Sequence, residues 1–154
     1  MNPPIDPKFL PAACAEVPVH WGPPATRMVT WYDPHATTLA GSRLRGIDFL
    51  EAMRAGELPP PPIASTLGFA IREIEVGQVL FERTPDLSVY NPIGTVHGGL
   101  VCTLADTVIG CAVHSTLEKG LTDTSIDLNV SYLRPVTSSS GTLRATDRGW
   151  GPFE

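Results

Sequence analysis

The chain has 154 residues, 42% of them hydrophobic and 18% charged, with a formal net charge of −5. That length suits one domain with room for a real core, and the composition is that of an ordinary soluble globular protein. Lys and Arg are scattered without a basic stripe, which argues against nucleic acid and against a polybasic membrane surface as partners.

Met1-Asn2-Pro3-Pro4-Ile5-Asp6-Pro7 offers neither a basic stretch nor an uninterrupted apolar run, so no secretory signal is expected. Three cysteines, Cys14, Cys102 and Cys111, lack metal-type spacing and suit a reducing cytoplasm. Residues 1–40 are proline-rich and hold Trp21, Trp31 and Tyr32; they read as an extended arm lying over a surface. Gly46–Ala55 carries Ile47, Leu50 and Met53 at helical spacing, and Gly56 is its expected stop. Pro59-Pro60-Pro61-Pro62 cannot continue a helix and predicts a stiff polyproline linker. The chain therefore divides into a Pro-rich arm with a short helix, 1–60, and a compact domain, 61–154.

Two β segments are expected next, Phe69–Val76 and Gln78–Arg83, joined through Gly77. An apolar helix follows from Gly98 to His114 or Thr116. Apolar residues surround its axis, which predicts burial on all sides; Asp106 interrupts it, and it is too short and Gly-rich for a membrane span. Thr122–Leu133 reads as a strand. Thr124, Ile126, Leu128, Val130 and Tyr132 face one way, and Asp123, Ser125, Asp127, Asn129 and Ser131 the other. Arg134-Pro135 ends it, Ser138–Gly141 reads as a turn, and Thr142–Thr146 begins another strand before a tail running to Glu154.

Asp106 is the only Asp, Glu, Lys or Arg between His97 and Leu117. Burying an unpaired carboxylate costs roughly several kcal/mol, so a residue of this type in an apolar helix calls for a reason. Attack on an activated acyl group needs a base or nucleophile at the carbonyl and donors for the developing oxyanion. Gly98-Gly99 at the start of the helix supplies free N–H groups with the helix dipole behind them, and admits a substrate close to the backbone. Asp106 follows His97 by nine residues. That is about 13 Å along the axis, too far for one subunit to bring both to one atom. Two antiparallel helices in a dimer remove that difficulty. A Ser-His-Asp hydrolase is disfavoured because no Gly-x-Ser-x-Gly elbow is present.

Three stretches carry a more specific likeness: Asn91-Pro92-Ile93-Gly94-Thr95-Val96-His97-Gly98-Gly99, Leu104-Ala105-Asp106-Thr107, and Ser125-Ile126-Asp127-Leu128-Asn129-Val130-Ser131-Tyr132-Leu133-Arg134-Pro135. In this order and spacing they resemble the signature of PaaI-type hotdog-fold acyl-CoA thioesterases, over about residues 60–146. The resemblance implies an α+β hotdog fold, an antiparallel sheet wrapped around a long central helix, with paired subunits forming sites at their interface. It implies Asp106 as the catalytic carboxylate, nucleophile or base, and Asn91 and His97 of the other subunit orienting substrate and water. The Gly98 amide would polarise the thioester carbonyl, and Ser125 would place the water beside Asp106. Gly99, Thr107 and Arg134 would bind substrate, Arg134 through coenzyme A phosphates. The implied substrate is an aryl- or medium-chain acyl-CoA, with no metal and no separate cofactor, in a cytoplasmic homodimer or dimer of dimers.

Each residue also has a plain structural reading. Asp106 can pair with a buried polar group, His97 can bond across its own turn, Ser125 can be an ordinary strand serine, and Arg134 can simply end a strand. Cys102 and Cys111 suit small core positions, and Cys111 with His114 does not suggest a metal site.

Family members continue with two more strands, whereas this sequence diverges at about Asp147. The expectation is a sheet incomplete at its C-terminal side, with Thr122–Leu133 short of a partner and exposing an apolar face and edge. That predicts poor solubility or rescue by another chain. The alternative function is a non-catalytic hotdog protein that binds acyl groups or pairs with a full-length paralogue. A hotdog enoyl-CoA dehydratase fits His97-Gly98-Gly99 and Leu104-Ala105-Asp106 less well.

Overall fold

The structure is a computed structural model and describes residues 20 and 22–147. The first part of the Pro-rich arm, with Cys14 and Trp21, and the tail after Asp147 lie outside the described residues.

The arm is not extended throughout. Pro34–Gly41 forms helix α1, because Asp33 caps it by accepting from the His35 N–H at 2.9 Å and Pro34 takes the first helical position, where its missing donor costs nothing. Helix α2, Gly46–Ala55, ends as expected at Gly56, whose φ of 79° returns its N–H to Ala52 and Met53. The proline run is more than a linker. Pro61 is in the polyproline conformation, φ −62° and ψ 144°, but Pro62 opens helix α3, Pro62–Leu67, at a position that tolerates proline.

Strands β1, Ala70–Glu75, and β2, Gln78–Arg83, form an antiparallel hairpin around Gly77, which has φ 79°. The register pairs Ile71 with Phe81 and Ile74 with Val79, and shifts between Ile71 and Glu73, leaving Arg72 as a bulge. Strand β3, Leu143–Thr146, pairs antiparallel with the other edge of β2, matching Leu80 with Thr146 and Arg83 with Leu143. The sheet order is β1-β2-β3. Its central strand carries the buried residues Val79, Leu80, Phe81 and Arg83.

Helix α4, Gly98–Ser115, lies against this sheet. Leu100, Leu104, Val108 and Ala112, each four residues from the next, form its buried row. Three of them share one core with Leu50, Ala64, Phe69, Val79 and Phe81. Phe69 and Phe81 meet edge to face at 5.9 Å. Each large apolar side chain buried here contributes about 1.5–3 kcal/mol, and Leu50 brings α2 into the same core. The hairpin turn is pinned to the end of α4: Ser115 Oγ accepts from Gly77 N–H at 2.8 Å and donates to Ala112 O at 2.6 Å.

Two expectations need correction. By length and composition α4 is apolar enough to cross a membrane, but here one side packs on the sheet. It is not buried on all sides: only that row and Ser115 are enclosed, and Ile109 on another side is exposed. Composition gives the mean apolarity of a helix but not how many faces are covered.

Thr122–Leu133 is also not a strand. It is irregular, with no ladder partner among the described residues. It runs antiparallel along α4 instead, with Asp123 at His114, Ser125 at Asp106 and Tyr132 at Gly98. The polar positions Asp123 and Ser125 turn toward the helix, while Ile126 and Leu133 are 97% and 93% exposed. Alternation marks two faces, but without a neighbouring strand to accept the backbone, side-chain hydrogen bonds decide which face turns inward.

Candidate functional site

The site residues fall into two clusters on α4. Asp106 is two residues from both Leu104 and Val108, which at 100° per residue puts it on the side of the helix opposite the core. It is half-buried rather than enclosed, which lowers the cost of its charge. Ser125 Oγ donates to Asp106 Oδ1 at 2.6 Å, a charge-assisted bond. The carboxylate thus has a fixed partner on one oxygen. Thr107, beside it, spends its proton on the helix, donating to Thr103 O at 2.8 Å, and retains only acceptor capacity.

The second cluster is built at the N-terminus of α4. His97 is the N-cap, with Nδ1 accepting from Gly99 N–H at 2.8 Å. Leu100 N–H is taken by His97 O at 3.0 Å. The Gly98 N–H has no hydrogen-bond partner among the described residues, so it is the amide of this turn left free to meet an acceptor. Gly99, whose amide is committed to the cap, shapes the turn instead.

The loop before the cap is folded by Asn91. Its Oδ1 accepts from the N–H groups of Ile93 and Thr95 at 3.1 and 3.3 Å, and its Nδ2 donates to Thr95 Oγ1 at 3.0 Å. Both acceptor positions are used, and one Nδ2 hydrogen remains available for a ligand. Val96 N–H bonds Val136 O at 2.8 Å, which brings the Arg134–Val136 segment beside the cap. The result is an open cleft of about 360 Å³ lined by Asn91, Gly98, Val101, Tyr132, Arg134 and Val136, among others. Arg134 is exposed there and makes no ion pair among the described residues.

One chain therefore brings together Asn91, Gly98 and Arg134, with His97 on the same turn, and separately Asp106 with Ser125. From Gly98 to Asp106 is eight residues, about 12 Å along the axis.

Two features carried no assigned role in the sequence. Tyr132 Oη donates to Gly98 O at 3.0 Å, and its ring sits so close that a Cβ at position 98 would lie 3.1 Å from its Cζ. Alternation alone put Tyr132 on the face away from Ser125, although both touch α4. His114 Nδ1 and Asp123 Oδ1 lie 2.7 Å apart at the far end of the helix. Nearby, burial first and then the Asp123 charge push the Cys111 thiol up to about 12, which makes it a poor nucleophile.

The family described as "Domain of unknown function (DUF4442)" matches residues 55–149. The chain belongs to this family. Its fold is similar to that of a phenylacetic acid degradation-related protein of Ralstonia eutropha, with 34% identity and a TM-score of 0.57, covering 63% of this chain and 74% of that one. It is also similar to the E. coli PaaI protein from the phenylacetic acid degradation operon, with 28% identity and a TM-score of 0.54, covering 67% and 70%. These likenesses place the chain among the PaaI-like hotdog thioesterases and make its α+β arrangement a hotdog fold, with three strands present among the described residues. Among curated proteins, it is 39% identical to human acyl-coenzyme A thioesterase 13 over 59 residues, 38% of this chain and 41% of that protein. It is 33% identical to the proofreading thioesterase EntH of Klebsiella pneumoniae over 82 residues, 53% of this chain and 58% of the relative. The chain thus spans only about half the length of the curated relatives it matches.

Proposed function

We propose that this protein hydrolyses acyl-CoA thioesters at a site shared by two copies of the chain. The observation that carries this reading is the Ser125–Asp106 hydrogen bond on the side of α4 away from the core. It orients a carboxylate without neutralising it. Thioesterases among the relatives and solved neighbours give the reaction class.

In this reading Asp106 of one copy faces the helix start of the other, in a homodimer or a dimer of dimers. Asp106 takes a proton from water as the water oxygen bonds the acyl carbon, with Ser125 holding the carboxylate and the water. The developing oxyanion accepts from the free Gly98 N–H; one such donor is worth about 10²–10³ in rate. Collapse breaks the C–S bond and releases the free acid and coenzyme A. Direct attack by Asp106 gives the same products through an anhydride that water then opens.

Asn91 and His97 orient substrate and water from the second copy, and Gly99 keeps the turn bare. Thr107 offers an acceptor, and Arg134 suits the coenzyme A phosphates at the mouth of the cleft. The acyl group is aryl or medium-chain, no cofactor takes part, and the setting is the cytoplasm.

Thiol release from phenylacetyl-CoA and octanoyl-CoA tests this. The Asp106→Asn variant should lose nearly all turnover while remaining folded. Turnover unchanged by that substitution would remove the carboxylate from the reaction. The 122–133 segment, with Ile126 and Leu133 exposed and no ladder partner among the described residues, favours a second reading, in which the chain binds acyl groups without hydrolysis or pairs with a full-length paralogue. Binding of either acyl-CoA with no thiol release by the wild-type chain would decide for it.

A further inference from the structure

We propose that Tyr132 is a positioning residue for this site: its hydroxyl holds the Gly98–Gly99 peptide, and through that peptide keeps His97 as the Nε2–H tautomer. Tyr132 Oη donates to Gly98 O at 3.0 Å, and Gly99 N–H donates to His97 Nδ1 at 2.8 Å. The Gly98 carbonyl and the Gly99 N–H are two ends of one planar amide. A donor at the oxygen polarises the group and strengthens the N–H at the other end. The three groups therefore form one relay, from phenol to peptide to imidazole.

The chemical consequence lies at His97. A ring nitrogen that accepts an N–H bond carries no proton, so the proton of the neutral ring sits on Nε2. That leaves Nε2–H as a donor, the kind of group that orients a carbonyl oxygen or a water. The opposite tautomer would present a lone pair and leave the Gly99 amide without its cap.

Glycine at 98 is what lets the phenol in. A Cβ there would lie 3.1 Å from Tyr132 Cζ and 3.2 Å from its hydroxyl oxygen, so with a side chain at this position the ring would have to give by a few tenths of an ångström. Tyr132 also lines the same cleft as Asn91 and Arg134.

The inference rests on the reading that His97 addresses substrate, and the test separates the two. Protein labelled with ¹⁵N at histidine is compared as wild type and Tyr132→Phe by long-range ¹H–¹⁵N NMR, alongside kinetics with phenylacetyl-CoA. Wild-type His97 should be protonated on Nε2 and bare on Nδ1. Tyr132→Phe keeps the ring but should spread His97 over both tautomers. It should lower kcat by about two- to tenfold, the worth of one hydrogen bond, with KM little changed. A His97 signal identical in the two proteins overturns the proposal, as does an altered tautomer with kcat intact. If Asp106→Asn hydrolyses phenylacetyl-CoA as fast as wild type, the thioesterase reading fails, while the NMR comparison still decides what Tyr132 does to His97.

Discussion

Ser125 and Asp106, nineteen residues apart in sequence, are joined by a 2.6 Å hydrogen bond from hydroxyl to carboxylate. This bond crosses from the irregular segment after α4 to the helix itself, and fixes a charge on the side of α4 that the sheet does not cover. It leaves Asp106 oriented and half-open. These are the requirements of a base or nucleophile that must meet a substrate arriving from outside the chain.

Ser125→Ala should therefore act on chemistry more than on folding. Ser125 is exposed, so its loss should leave the circular dichroism spectrum and urea midpoint near those of wild type. The bond is to a charged group but open to solvent, so a loss of about tenfold in kcat is expected, with KM nearly constant. Steady-state thiol release from phenylacetyl-CoA measures both quantities.

The packing of α2 on the end of α4 gives a prediction about stability. Gly46 is buried and donates its N–H to Leu117 O at 2.9 Å; a Cβ there would lie 1.6 Å from His114 O. Backbone cannot yield that much, so Gly46→Ala must lift α2 from the helix and disturb the setting of Leu50. A loss of about 3 kcal/mol is expected, the upper end of ordinary overpacking, read from the urea midpoint. Alanine at 46 with no change in midpoint would show that α2 does not sit against α4 in this way.

Acid stability should depend on Asp86. The Ser88 hydroxyl, the buried Arg83 guanidinium at 3.0 Å and the Ser88 N–H at 2.8 Å hold its carboxyl down to about 2, from an ordinary 3.8. Because the folded value lies below the unfolded one, the stabilisation is fully present above about pH 4 and is lost as pH falls toward pH 2. With the carboxylate half exposed and screened, its worth is about 1 kcal/mol. Asp86→Ala should lower the midpoint at pH 7 and flatten its decline between about pH 4 and pH 2. Urea titrations across that range check both.

Much of this arrangement is legible in the residues, and the gaps have physical causes. Gly56 and Gly77 announced a helix end and a hairpin because positive φ favours glycine, and both lie in that region. The Asn91–Gly99 and Leu104–Thr107 motifs located both clusters on α4, and the nine-residue step from His97 to Asp106 already separated them. Helices α1 and α3 are not evident from composition, although Asp33-Pro34 and Pro61-Pro62 carry start signals, because proline-rich sequence signals stiffness more strongly than proline's tolerance at the first helical position. Thr122–Leu133 misled because alternation describes side chains and says nothing of which backbone will pair with them. Tyr132 falls on the apolar face of that pattern, and its bond to Gly98 O depends on a tertiary approach that alternation does not encode.

The central claim is that Asp106 of one chain works with Asn91 and Gly98 of another. Two variants, Asp106→Asn and Asn91→Ala, each nearly inactive alone, test it when co-refolded or co-expressed so that subunits mix. A shared site predicts that about half the dimers are mixed and that each regains one intact site, restoring about a quarter of wild-type thiol release. Mixed dimers that form and stay as inactive as either parent would contradict it.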